Sequence, residues 1–192
     1  ALAPHQLVII PIAQHKEGVL DKANELKDRL KSLYRVKLDD TDNQPGWKFA
    51  EYEMKGVPIR LEIGPKDIEK NQCVLVRRDT REKIFVSLDN LEAELERVFK
   101  EYADALYARA KENLVTRTVE LEKLEDIIAQ ADKNDGFIKA HWCGSAECEE
   151  AMKEKAGLSS RCMPFGEQGV KKGVCPICGK ETDTIVVWGK AY

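Results

Sequence analysis

The chain has 192 residues, 43% of them hydrophobic and 34% charged, which fits an ordered globular protein of one large domain or two modest ones. No run approaches the ~20 apolar residues of a membrane span, and the start "ALAPHQ" has neither an initiating Met nor the basic segment of a signal peptide. We therefore expect no membrane association, a cytoplasmic location and a piece of a longer protein. A formal net charge of −3 argues against non-specific coating of nucleic acid, so any such contact is expected to be local.

In chain order, "QLVIIPI" (6–12) is a short continuous apolar run, as in a strand buried on both faces. Residues 17–33 carry Val19, Leu20, Ala23, Leu26, Leu30 and Leu33 at helical spacing. "YRVKLDD" (34–40) alternates as a second strand, "NQPGWKF" breaks the chain, and a short helix is expected through about Met54. "GVPIRLEIGP" (56–65) places Ile59, Leu61 and Ile63 on one face and Arg60 and Glu62 on the other. "QCVLVRRD" and "EKIFVSL" read as two strands around the polar turn "DTRE", and Leu91, Leu95, Val98, Phe99, Tyr102 and Leu106 mark a long helix running past residue 110. The order β-α-β-α-β-β-β-α predicts an α/β domain over residues 1–105, a mixed sheet covered by helices.

Residues 106–192 predict a small α+β unit: a helix at "LEKLEDIIAQAD", a strand at "GFIKAHW", a helix at "CEEAMKEKAG", a Gly-rich loop after "SSRCMPF" and a last strand at "TIVVWG". Five of the six cysteines fall here, while Cys73, inside "QCVLV", reads as a buried small hydrophobe. Cys143 and Cys148 in "CGSAEC" and Cys175 and Cys178 in "CPIC" form two close pairs with a 26-residue spacer, the spacing of a four-thiolate zinc site. Four sulfur ligands would close the metal's shell, so such a site is structural. Reduced buried thiols are the alternative, and Cys162 or His141 can replace a member of the set. A redox pair is disfavoured, because no strand-to-helix entry precedes "CPIC".

The stretch "KF…E…GVPIRLEIGPKD" followed by "VRRDTREK" resembles the anticodon-binding domain of class II aminoacyl-tRNA synthetases, and specifically the prolyl-tRNA synthetase family. The opening "LAPHQLVIIPI" is similar to that family's first strand after the catalytic core. The cysteine-bearing part ending in "WGKAY" resembles the C-terminal zinc domain of its archaeal and eukaryote-like form. The resemblance covers essentially the whole chain. It implies the class II anticodon-binding fold, proline tRNA as partner and structural Zn²⁺ as cofactor. It also implies that proline activation with ATP and Mg²⁺ belongs to a catalytic core missing from these residues, so this fragment alone is expected to be inactive. The parent of such a chain is expected to be a homodimer and to contact this part through its catalytic domain.

Proline anticodons end in two guanines, whose N1–H and N2–H donors suit a carboxylate, while cations suit O6, N7 and phosphate. The resemblance assigns the carboxylate to Glu53, on the loop before "GVPIR", and the cations to Arg60 and Lys83, with Trp47 and Phe49 as stacking surface. Tyr192 is assigned a contact with the catalytic core. Each residue has a plainer reading: Glu53 and Arg60 as an exposed ion pair worth ~0–1 kcal/mol, Phe49 as core, Tyr192 as a terminus packed locally. Arg77 and Arg78, adjacent on a strand, point to opposite faces, so one at most faces a ligand groove.

A freestanding anticodon-domain paralogue serving as a tRNA-binding accessory or regulatory subunit is the alternative; its chain would begin with Met. A small α/β ligand-binding protein would want a Gly-rich loop where "PIAQHKEG" stands. A zinc-ribbon DNA binder is disfavoured by the acidic balance around the cysteines.

Overall fold

The run Leu7–Pro11 has no polar residue, and in the computed structural model, which describes residues 2–133 and 136–190, all five side chains are buried as β1. Tyr192 lies outside the described residues. The chain divides into two units, one through residue 108 and one from Arg109 onward.

In the first unit β1 lies inside a five-stranded sheet of order β2-β1-β3-β4-β5, with β2 at Val36–Leu38, β3 at Ile59–Ile63, β4 at Gln72–Arg77 and β5 at Lys83–Ser87. β2 and β3 run parallel to β1, and β4 and β5 return antiparallel. Because residues paired in register share a face, Leu7, Ile9, Ile59, Leu61, Leu75 and Val86 form one buried layer. Helix α1 (Val19–Leu30) covers it with Val19, Ala23, Leu26 and Leu30, a one-sided stripe. Helix α4 (Leu91–Thr116) adds Leu91, Leu95, Val98 and Tyr102. Burying such side chains is worth ~1.5–3 kcal/mol each, which commits the sheet to this register.

The opposite face carries Val8, Ile10, Arg60, Glu62, Val74, Val76, Lys83 and Phe85. Helix α2 (Pro45–Met54), opened by Pro45 in its first turn, covers its β1 side: Tyr52 packs with Val8, Ile10 and Val57. The short helix α3 (Pro65–Glu69) was not foreseen. Its five residues are too few for a periodic pattern, and it is capped by the Asp67 carboxylate, which accepts from the Gly64 N–H at 3.0 Å.

The second unit holds a four-stranded sheet of order β6-β7-β11-β8: β6 Thr118–Glu120, β7 Phe137–His141, β8 Leu158–Cys162 and β11 Ile185–Lys190. Helices α5 (Leu124–Asp132) and α6 (Ala146–Ala156) supply Ile127, Ala131, Met152 and Ala156 to a core around Trp188. The helix expected from Leu121 starts at Leu124, because Leu121 instead extends the β6 pairing, its N–H donating to Lys139 O at 3.0 Å. A two-stranded hairpin, β9 (Gly173–Val174) with β10 (Glu181–Thr182), completes the unit. No helix among the described residues is long and apolar enough to cross a membrane.

Helix α2 is locked to the strand ends by an unusual cation. Lys48 is 2% exposed, and its Nζ donates to the Asp39 carbonyl at 3.0 Å and to Gln14 Oε1 at 3.3 Å, with the Asp39 carboxylate at 3.6 Å. Burial opposes ionisation of Asp39, but donation from Thr41 and the Lys48 charge hold its carboxyl below the usual value. Burial and Asp39 push the Tyr52 hydroxyl up to about 12. Lys48→Met should therefore cost ~3–5 kcal/mol in urea denaturation, since it strands a buried carboxylate, and adding Asp39→Asn should restore part of it. Because the Asp39 value is depressed, its contribution is present above ~pH 4 and is lost as pH falls through the folded value. Without Lys48 that acid loss should begin at higher pH.

Candidate functional site

The strand alternation that buries Ile59, Leu61 and Ile63 forces Arg60 and Glu62 onto the other face. Arg60 does not reach freely into water there. Its guanidinium lies over the Phe49 ring at 3.8 Å, Nε donates to Glu62 Oε1 at 2.8 Å and Nη1 to Glu53 Oε1 at 3.4 Å. Glu53 also meets Arg81 Nη2 at 3.4 Å, and Glu62 meets Lys83 Nζ at 3.6 Å. Glu53, Arg60 and Lys83 thus sit in one continuous network, Arg81–Glu53–Arg60–Glu62–Lys83.

Two expectations change. The helix ends at Met54 as expected, before Gly56 breaks it at φ 75°, and this places Glu53 in the last turn of α2 and not on a loop. Phe49 is no open stacking surface: it packs beside Ile10 and Val8, and the Arg60 guanidinium lies over its ring. Trp47 stands half exposed nearly two turns from Glu53. Of the adjacent arginines, Arg77 turns to Asp79 at 2.8 Å and Glu101 at 3.4 Å. Arg78 instead donates Nε to the Glu53 carbonyl at 2.9 Å, tying the end of α2 to the β4–β5 turn. Glu53, Arg60, Arg78 and Tyr52 border a cleft with space for little more than a water molecule, so this is a surface and not a pocket. Glu62 and Arg81 are not site candidates from the sequence; the Arg60–Glu62 spacing of two is the available signal for Glu62.

In the second unit the thiols of Cys143, Cys148, Cys175 and Cys178 all lie within 4.8 Å of one another. The first pair brackets the start of α6, where Ser145 Oγ accepts from the Cys148 N–H at 3.3 Å. The second pair sits in the β9–β10 turn, where Gly179 N–H donates to Cys175 O at 2.8 Å and Gly179 takes φ 73°. Burial opposes ionisation of Cys143, yet donation from the Ser145 backbone and the neighbouring thiols draws it down to about 7. Cys148 is pushed up to about 12 by burial and by its donation to Cys143. Thiols this close compete for protons, and a divalent cation relieves that competition by stabilising all four thiolates. Tetrahedral sulfur sites need S–S separations near ~3.8 Å, which this cluster can supply.

Neither substitute ligand belongs to the cluster. Cys162 is exposed at the end of β8. His141 is buried on β7, its Nε2 donating to the Lys171 carbonyl at 3.1 Å, and its ring fills the space beside Gly173.

A family model described as an anticodon binding domain matches residues 6–98, and one described as prolyl-tRNA synthetase, C-terminal, matches residues 124–192. The chain is 56% identical over 192 residues to a protein named proline–tRNA ligase from Ruminiclostridium cellulolyticum. It is 56% identical over 191 residues to one from Clostridium novyi, and 54% over 191 residues to a proline–tRNA ligase 2 from Bacillus cereus. Each match covers the whole chain, which spans 40% of the relative's length.

The hairpin that presents Cys175 and Cys178 depends on Gly173. A Cβ there would fall 2.4 Å from the His141 ring, whereas one at Gly144 meets open space and only its φ of +86° opposes a side chain. Gly173→Ala should cost ~1–3 kcal/mol of second-unit stability, as overpacking does. Gly144→Ala should cost about 1 kcal/mol. Urea denaturation of the two variants in a Trp47→Phe background, followed by the fluorescence of Trp142 and Trp188, checks the order.

Proposed function

The chain belongs with the prolyl-tRNA synthetases, as an anticodon-binding domain joined to that family's C-terminal domain, and on that premise we propose that its first unit reads the anticodon of proline tRNA. The observation that carries this reading is the convergence of Glu53, Arg60 and Lys83 on one sheet face, beside the open end of β5. Glu53 offers carboxylate oxygens at a third of full exposure, which would accept from guanine N1–H and N2–H. Lys83, more exposed, would meet phosphate. In the longer protein, a catalytic core elsewhere would activate proline with ATP and Mg²⁺ and transfer it to the tRNA, and that protein would work as a homodimer in the cytoplasm.

Zinc is the proposed occupant of the four-thiol cluster, held by Cys143, Cys148, Cys175 and Cys178. It would supply no chemistry beyond cross-linking the start of α6 to the β9–β10 turn, since four thiolates close its shell.

Glu53→Ala should weaken cognate anticodon stem-loop by roughly ten- to a hundredfold, the worth of one base-specific contact. A stem-loop with altered anticodon guanines should change little, because that contact was never made. Lys83→Ala should weaken both loops alike and flatten the salt dependence. Equal loss of both loops in Glu53→Ala, or loss of neither, would show that Glu53 reads no base and only balances Arg60 and Arg81.

For the metal, elemental analysis of protein purified without chelators should give one zinc per chain. Replacing any one of the four cysteines by Ser should unfold the second unit while the first keeps its transition, because metal binding there is coupled to folding. Zinc-free protein with an intact second unit would refute the assignment.

A further inference from the structure

The sheet face that carries the network ends in an aromatic side chain with no structural employment. Phe85 is 66% exposed on β5, the edge strand. Its strand neighbours Ile84 and Val86 turn to the core, so alternation alone points Phe85 outward. Register places it opposite Val74, which lies opposite Glu62; Lys83, two residues earlier on the same face, lies opposite Val76, which lies opposite Arg60. Two rows result, Arg60–Val76–Lys83 and Glu62–Val74–Phe85. With strands ~4.8 Å apart and like-facing residues ~7 Å apart along a strand, the ring stands one row from Lys83 and two strands from the Arg60–Glu62 pair.

The valines between them are buried, at 7% for Val74 and 4% for Val76, whereas the ring itself is not covered. Helix α2 packs on the β1 side of this face. A Phe held on a strand is rigid, with only two side-chain torsions to fix, and presents an apolar face beside a cation. Single-stranded RNA is bound by that pairing: a π-face for an unstacked base and a positive charge for its phosphate, set out on an open sheet. Around it the network brings three cations, Arg60, Arg81 and Lys83, against two carboxylates, Glu53 and Glu62. This corner is thus locally positive on a chain of net charge −3, as a polyanionic partner requires.

We propose that Phe85 is a stacking platform for an unpaired base of the RNA loop, next to the bases met by Glu53 and Arg60. The inference rests on the proposed reading of this face as an anticodon interface, and it names a contact of a different kind. Every base has a π-face, so Phe85 contributes affinity without discrimination, whereas Glu53 contributes discrimination.

The test uses the 192-residue chain and a synthetic proline tRNA anticodon stem-loop bearing 2-aminopurine at either nucleotide flanking the anticodon. Phe85→Ala and Phe85→Leu should both weaken the cognate and the anticodon-altered loop by the same factor, about tenfold. Phe85→Trp should bind at least as tightly as wild type. One of the two 2-aminopurine positions should be quenched on binding by wild type and by the Trp variant, but not by the Ala or Leu variants. Leucine keeps the apolar bulk and removes the ring, so wild-type binding and quenching in Phe85→Leu would overturn stacking. If Glu53→Ala loses discrimination as expected while Phe85→Ala binds both loops like wild type, the platform is refuted and the anticodon reading stands. If wild type binds neither loop, both fail. Reduced self-association of Phe85→Ala in sedimentation, with RNA binding unchanged, would assign the ring to a second copy of the chain and overturn the proposal.

Discussion

A guanidinium held largely out of water organises one face of the first unit. The Arg60 side chain is 11% exposed, and a cation so placed costs several kcal/mol unless its surroundings repay it. Glu62 supplies the short hydrogen bond, Phe49 the ring beneath, and Glu53 the looser contact at the outer edge. The carboxylates in turn draw in Arg81 and Lys83, and Arg78 fastens the helix that carries Glu53. None of these groups is needed by the apolar core on the opposite face. They follow from one alternation in "PIRLEI", where an arginine and a glutamate take the outward positions of a central strand.

The second unit meets a different constraint. Its core around Trp188 is small, and the segment between β8 and β11 has little to bury: Met163, Phe165, Val170 and Val174 all lie open to water. Strands of two residues cannot hold such a segment, because an isolated hairpin is marginal in water. Ile177 packs half-buried on the core and the His141 ring lies against Gly173, the Gln168 amide exchanges hydrogen bonds with the Ile185 backbone, and the four thiols gather the rest. The cysteines therefore occur where apolar burial fails, in keeping with small domains that need a cross-link to fold.

Long periodic segments were legible from sequence alone. The inward residues of β1 and β3, the stripes of α1 and α4 and the pairing of the cysteines all follow from spacing. Three short features were not: α3, β6 and the β9–β10 hairpin are too brief to repeat a pattern and form through caps and tertiary pairing. The helix expected through about Met54 already contains Glu53, so the loop placement conflicts with the sequence's own periodicity, and α2 resolves it by ending at Met54, two residues before Gly56. Phe49 and Phe85 show the deeper limit. Alternation in "KIFVSL" turns Phe85 outward, but whether anything covers an outward aromatic is a tertiary fact, and the same ignorance hid the Arg60 guanidinium lying on Phe49.

On the proposed reading, the network also explains how a surface without a pocket can discriminate between bases. Glu53 is already satisfied in the free protein, by Arg60 and Arg81 at 3.4 Å each. A guanine offering two N–H donors can take the place of these arginine contacts, and the bond it completes is worth ~1–3 kcal/mol. A base without those donors does not displace the arginines, so Glu53 stays paired within the protein and contributes nothing to its binding. Specificity then comes from a contact that guanine alone completes. The contacts at 3.4 Å suit that role, since they are long enough to be given up without destabilising the fold, while the 2.8 Å bond from Arg60 to Glu62 keeps the guanidinium in place throughout.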